Sequence, residues 1–300
     1  MVQRYIFPET TEACVKELGR YSGEARILAG GTDLILAIQR GECNPIALLD
    51  ITRISELEGI VEEGEEIRIG ARVTHAACAS SPLIQKSGTC LAEACATVGS
   101  PQIRHIATLV GNVVNAQPAA DGAIALIALR ARARIISAQE GLTDLVENLY
   151  AGIGHSRVDS SREVIAYLSF PSAKDGEGSA FLRIAPRSAM GLPVLNGAVW
   201  VSLREQSVAD IRIVLGPVSD RPFRAQRTEA VVKGSRCDTA ELLEEAASVA
   251  SEEANPRDSL LRGSAEYRRD LIRTLVKRLL ETAIARARGD SIPLAGSISL

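Results

Sequence analysis

The feature that most constrains this chain is a Gly-Gly pair set between two contrasting patterns. Arg26-Ile27-Leu28-Ala29 is a short apolar run, Gly30-Gly31 breaks it, and Leu34, Ile35 and Ile38 then recur at helical spacing. Gly41 ends that helix, and Ala47-Leu48-Leu49-Asp50-Ile51 reads as a second buried strand. Strand, glycine turn, helix, strand is a small βαβ unit, whose parallel strands need a crossover between them. A further short helix is predicted over Thr10 to Leu18, so residues 1 to about 57 are expected to form one subdomain.

The texture changes from Glu58. Residues 60–70 read as two short strands around an acidic turn centred on Gly64. Leu83 to Val98 is predicted as one helix, introduced by Ser80-Ser81-Pro82, whereas Gly99 to Asp121 shows little helical period. Ala123 to Leu129 predicts a short helix, Ala133 to Ser137 a strand, and Val164 to Phe170 a closing strand. Pro171 to Ser179 is the best linker. Beyond it, Val194 to Leu203 and Ile211 to Leu215 are strand-like. A helix opened by Asp238 and Glu241 in capping-box fashion then carries the stripe Leu242, Leu243, Ala246, Ala247 and Ala250. The last helix is expected from Ser264 to Arg288. Strands followed by helices predict an α+β C-terminal domain.

A length of 300 residues allows two or three domains, and 46% apolar with 24% charged residues is a globular mix. Thirty-four basic against 37 acidic residues leave a net charge of −3, and aromatics are only 3%, so no nucleic-acid partner is expected. No run of about 18 apolar residues predicts a membrane span. The first residues lack a secretory h-region, so the cytoplasm is the expected compartment. Cys14, Cys43, Cys78, Cys90, Cys95 and Cys237 include no C-x-x-C pair and read as small buried thiols, with no metal site.

Nucleophilic catalysis has no sequence support. G-x-S-x-G is missing, and His75, His105 and His155 follow no triad order. Glu62, Glu63, Glu65 and Glu66 read as a solvated turn, and the acidic and basic runs of the two C-terminal helices as polar outer faces. Two turns remain. In Leu28-Ala29-Gly30-Gly31-Thr32-Asp33-Leu34, successive glycines let backbone N–H groups converge, and the Thr32 hydroxyl can add a donor. That is the physics of a phosphate cradle, although it is neither a Walker A loop nor G-x-G-x-x-G. Asp33 is expected to point away from an anion. The second turn is Thr108-Leu109-Val110-Gly111-Asn112. A ligand with two linked phosphates, a dinucleotide, could be gripped by both. A phosphorylated metabolite held by a non-redox protein is the alternative.

These residues resemble a known family. Ala29-Gly30-Gly31-Thr32-Asp33-Leu34, Ile69-Gly70-Ala71-Arg72-Val73-Thr74-His75, Thr108–Asn112 with Pro118-Ala119-Ala120-Asp121, and Arg262-Gly263-Ser264-Ala265-Glu266-Tyr267-Arg268-Arg269 form four ordered blocks. They resemble, from end to end, the FAD-binding medium subunit of the molybdenum hydroxylases, of the carbon monoxide dehydrogenase, xanthine dehydrogenase and 4-hydroxybenzoyl-CoA reductase type. The extra four-cysteine segment of some 4-hydroxybenzoyl-CoA reductase relatives is missing.

The resemblance implies an α+β architecture. A two-subdomain FAD-binding domain of the PCMH type would span 1–175, divided near 57. A C-terminal domain of a small antiparallel sheet plus helices would follow over 178–288, with a tail at 289–300. It implies FAD held by Ile27, Leu28, Ala29, Gly30, Gly31, Thr32, Asp33 and Leu34 on one side, and by Thr108, Leu109, Val110, Gly111 and Asn112 on the other. Asp121 would accept from flavin hydroxyls, Ile165 would pack near the rings, and Arg183 would lie beside the isoalloxazine. The family carries a second glycine where this chain has Val110; valine does not readily take φ > 0, so an extended loop or a more distant backbone is expected there. The implied role is electron transfer, from a partner's [2Fe-2S] clusters through FAD to NAD+ or another acceptor. The partners would be an iron–sulfur small subunit and a molybdopterin-binding large subunit, and no catalytic residue is expected here. A self-contained flavoenzyme of the same fold is the rival.

Overall fold

The computed structural model describes residues 2–139, 141–187, 191–237, 239–294 and 296–299. Its opening unit runs β1 (Arg4–Ile6), α1 (Thr11–Arg20), β2 (Ala25–Leu28), α2 (Leu34–Gln39) and β3 (Ala47–Asp50). The Thr10 hydroxyl accepts from Ala13 N at 3.1 Å and so caps α1, which buries Cys14, Val15 and Leu18. The three strands pair in parallel in the order β1-β3-β2, with β2 and β3 related by the α2 crossover.

A second sheet begins with the hairpin β4 (Ile60–Glu63) and β5 (Glu66–Gly70). Six helices follow: α3 (His75–Ser80), α4 (Pro82–Ser87), α5 (Thr89–Thr97), α6 (Pro101–Arg104), α7 (Leu109–Val114) and α8 (Asp121–Ala128). The chain returns through β6 (Arg132–Ile136), β7 (Gly141–Leu145), the small ribbon β8 (Tyr150–Gly152) and β9 (His155–Ser156), and β10 (Val164–Pro171). The antiparallel order is β4-β5-β10-β6-β7. After Asp121, helix α8 is apolar all round, as suits a helix whose every residue is buried.

Two expectations change here. The helix read over 83–98 is two helices broken at Gly88, where a Cβ would lie 2.9 Å from both Leu129 Cδ1 and Phe170 Cζ. Only glycine lets the chain turn that close to the core. The stretch 99–121, read as lacking helical period, contains α6 and α7. Each is a turn or two long and starts from its own cap, Ser100 or Thr108, so neither has the length to show an amphipathic stripe.

The third sheet consists of β11 (Glu177–Ala185), β12 (Leu195–Arg204), β13 (Ser207–Gly216), β14 (Phe223–Arg224) and β15 (Gly296–Ser299). Its order is β14-β13-β12-β11-β15, antiparallel except for β15 beside β11. The terminal residues read as a tail thus contain an edge strand. Helices α9 (Gln226–Val232), α10 (Ala240–Glu253) and α11 (Ala265–Ala287) cover one face, meeting Ala180, Leu182 and Ile184. The other face puts Phe181, Ala198 and Val214 into the core of the first two sheets. Burial on both faces removes the polar alternation that marks a strand from β11, and its first residues, Glu177-Gly178-Ser179, have the composition of a linker. Gly178 sits there because α11 crosses so closely that a Cβ would stand 3.0 Å from Ala287 Cα. Asp238, read as the cap of α10, lies outside the described residues; Thr239 Oγ1 accepts from Leu242 N at 3.3 Å. No helix among the described residues is long and apolar enough to cross a membrane.

A buried ion pair ties the halves together. Arg286 of α11 reaches Glu93 of α5 at 2.6 and 3.2 Å, and donates to Ser179 O at 2.7 Å, while Phe181 N donates to Glu93 at 2.8 Å. Their side chains are 8% and 1% exposed. Replacing Arg286 with leucine strands a carboxylate in the core, and urea unfolding should show a loss of about 3–5 kcal/mol. The pair Glu93→Gln with Arg286→Leu should recover part of that loss.

Candidate cofactor-binding site

Turn 28–34 leaves β2 at its C-terminal end. Gly31 has φ +69°, and a side chain there would also meet Leu28 Cδ1 at 2.9 Å. Gly30 is required for space. A Cβ on it would fall inside the Ile106 carbonyl and 3.0 Å from Ala107 Cα, so the backbone entering the second turn lies directly against the first. The N–H groups of Gly30, Gly31, Thr32, Asp33 and Leu34 have no acceptor among the described residues. Five consecutive donors without a protein acceptor, at the wall of a cavity, are available to an anionic ligand. Desolvation raises the pKa of Asp33, and the polar Thr32 and Asn115 side chains beside it offset part of that rise.

The second turn is the start of α7. Thr108 Oγ1 accepts from Gly111 N at 3.1 Å, and Leu109 N donates to Val73 O at 3.1 Å. His75 N donates to Ala107 O at 3.0 Å, which fastens the turn to the start of α3. Val110 lies within α7 and has no positive φ, so the loop does not run extended there. Its N–H has no acceptor among the described residues.

Both turns open into one cavity of about 640 Å³, within the range of ligand pockets. Of the residues expected around a cofactor, Ile27, Leu28, Ala29, Gly30, Gly31, Thr32, Asp33, Leu34, Thr108, Val110, Gly111, Asn112, Asp121, Ile165 and Arg183 all line it. Leu109 does not. Its side chain is fully buried in the core and its N–H is already used, because the first residue of α7 faces inward. His75 lines the cavity, whereas His105 is exposed and turned to Pro101 O.

Asp121 and Arg183 come together at 2.8 Å, 7% and 5% exposed. Arg183 also donates to Thr97 O at 2.8 Å, and Asn196 Nδ2 donates to Asp121 Oδ1 at 2.5 Å and to Ala119 O at 3.0 Å. This network joins α5, α8, β11 and β12 at the cavity wall. Sequence reading missed Asn196, although an asparagine inside an apolar strand is a visible signal. It also missed Asn115 and Arg262, whose places depend on tertiary contacts alone. The buried His75 ring sits with Nδ1 3.4 Å from Cys95 Sγ, and burial, then the Arg104 charge, lowers its pKa from 6.5 to about 4.

Residues 1–173 match the family described as FAD binding domain in molybdopterin dehydrogenase, and residues 180–283 match the CO dehydrogenase flavoprotein C-terminal domain. The chain is 27% identical to a xanthine dehydrogenase FAD-binding subunit of Escherichia coli O157:H7, over 89% of this chain and 91% of that one. It is 31% identical to the 6-hydroxypseudooxynicotine dehydrogenase complex subunit alpha of Paenarthrobacter nicotinovorans, over 95% of each. The structure superposes with a TM-score of 0.89 on a chain of carbon monoxide dehydrogenase from Hydrogenophaga pseudoflava, at 29% identity, covering 95% of this chain and 98% of that chain.

Gly30→Ala should drive the two turns apart. Flavin content after purification is expected to fall at least tenfold, read from the visible absorbance, with thermal stability reduced by about 1–3 kcal/mol. The neutral form of His75 is favoured in the folded protein. Its contribution is complete above pH 6.5 and is lost as pH falls toward 4. Urea unfolding across that window should show about 3 kcal/mol more loss in the wild type than in His75→Gln.

Proposed function

Because the chain belongs to the FAD-binding medium subunits of the molybdenum hydroxylases, with FAD as its cofactor, we propose that it carries electrons from [2Fe-2S] clusters of a small partner subunit to NAD+ or another acceptor. Substrate oxidation would take place at a molybdopterin centre in a large partner chain, and the assembly would work in the cytoplasm. The open N–H row of residues 30–34, pressed against the second turn inside one large cavity, is the observation that carries this reading.

The residues present fit the cofactor. The five N–H groups would take the diphosphate, joined by the unclaimed N–H of Val110. Gly30 keeps the two turns close enough to share it. Asp121, oriented by Arg183, Asn196 and Thr97, retains one acceptor position that would take a cofactor hydroxyl. Ile165, Val164 and Val110 are buried along the wall and keep water from it. FAD supplies one- and two-electron exchange when bound, the step that links a one-electron relay to a two-electron acceptor. None of the chain's side chains is asked to act as acid, base or nucleophile.

The test is to purify the chain alone and together with iron–sulfur and molybdenum partners from the same source. A yellow chain with about one FAD is expected, whose visible absorbance bleaches anaerobically on mixing with the reduced iron–sulfur partner. A colourless chain would favour a non-redox phosphometabolite binder, and substrate turnover by the isolated chain would favour a self-contained flavoenzyme. Either result would sink the proposal.

A further inference from the structure

Three guanidinium groups line the cavity, and two are committed. Arg26 Nη1 donates to Gly23 O and Ala25 O, both at 2.7 Å, and Arg183 is paired with Asp121. Arg262 differs. Its Nε donates to Pro193 O at 3.2 Å, and its two Nη groups have no partner among the described residues. No carboxylate among the described residues pairs with it, and its neighbour Arg268 adds charge of the same sign. Desolvation lowers the pKa of Arg262, the mark of a cation held partly out of water.

The mounting of this arginine is firm. Residues 259–263 close a tight loop, with Gly263 N donating to Ser259 O at 2.9 Å and Ser259 N donating to Gly263 O at 3.1 Å. One residue later Ser264 caps α11, accepting from Tyr267 N at 3.1 Å. A half-buried guanidinium without a counter-charge is costly unless an occupant of the cavity supplies negative charge. The diphosphate already has the N–H row of the first turn. The other part of FAD that acquires negative charge is the ring. Taking up two electrons with one proton adds one net negative charge.

We propose that the charge of Arg262 raises the reduction potential of the bound flavin by stabilising its reduced, anionic ring. This rests on FAD occupying the cavity. Full-length wild type, Arg262→Lys, Arg262→Gln and Arg262→Met are loaded with FAD and titrated anaerobically against a reference dye. The neutral variants should keep about one FAD per chain and shift the reduced-to-oxidised ratio about tenfold toward oxidised, about 30 mV for a two-electron couple. Arg262→Lys should keep most of the wild-type potential. A neutral variant that holds FAD at an unchanged potential overturns the inference, as does a lysine variant that falls as far as the neutral ones. If both neutral variants fold but fail to load FAD, Arg262 serves affinity and the inference also falls. If the glutamine and methionine variants do not fold, a full tenfold shift in Arg262→Lys decides against it, and a retained potential supports it. A wild type that binds no FAD refutes instead the reading of the cavity.

Discussion

The site depends on one close approach between backbones. The chain entering the second turn, at Ile106 and Ala107, lies where any side chain on Gly30 would have to be. That approach brings into one concavity two segments separated by more than seventy residues, and it is available only because one of them lacks a Cβ. A row of N–H groups that would be an ordinary solvated bend elsewhere becomes a cradle when the second segment forms its facing wall. The βαβ unit aims the first turn, and the bonds from His75 N to Ala107 O and from Leu109 N to Val73 O fix the second. Neither turn is held by its own local structure alone.

The same logic governs the charges. Asp121 with Arg183, and Glu93 with Arg286, each cross from the helices of the first half to the C-terminal sheet or its covering helix. Buried pairs of this kind add little net stability, because desolvating both partners offsets their attraction. They do penalise any other arrangement of the two halves, since a shifted sheet would leave four charges unpaired. At Asp121 the added hydrogen bonds from Asn196 and Thr97 orient the carboxylate at the cavity wall. The feature that holds the domains in register thus also shapes the cofactor site.

Much of this was legible in the residues. The Gly-Gly turn between a strand and a helix, the helix starts expected at Thr10 and Ser264, and the long apolar stripe of the last helix are local signals, and the structure follows them closely. The break at Gly88, the short helices α6 and α7, and strand β11 were not legible. In each of these the deciding contact comes from elsewhere in the chain: Phe170 and Leu129 at Gly88, and both neighbouring layers on β11. Leu109 shows the same limit at the site, since a motif names five residues but cannot say which one turns inward.

Sequence by itself determined the opening βαβ unit, the two turns, the closing helices and, through four ordered blocks, the family and its flavin. These follow from short-range rules: glycine conformations, caps, and apolar spacing. Tertiary structure alone decided that the turns meet, that Arg183 is neutralised by Asp121, and that Arg262 reaches the cavity with no counter-charge among the described residues. Those outcomes depend on which distant groups share a low-dielectric space, and distance through space is not written in separation along the chain.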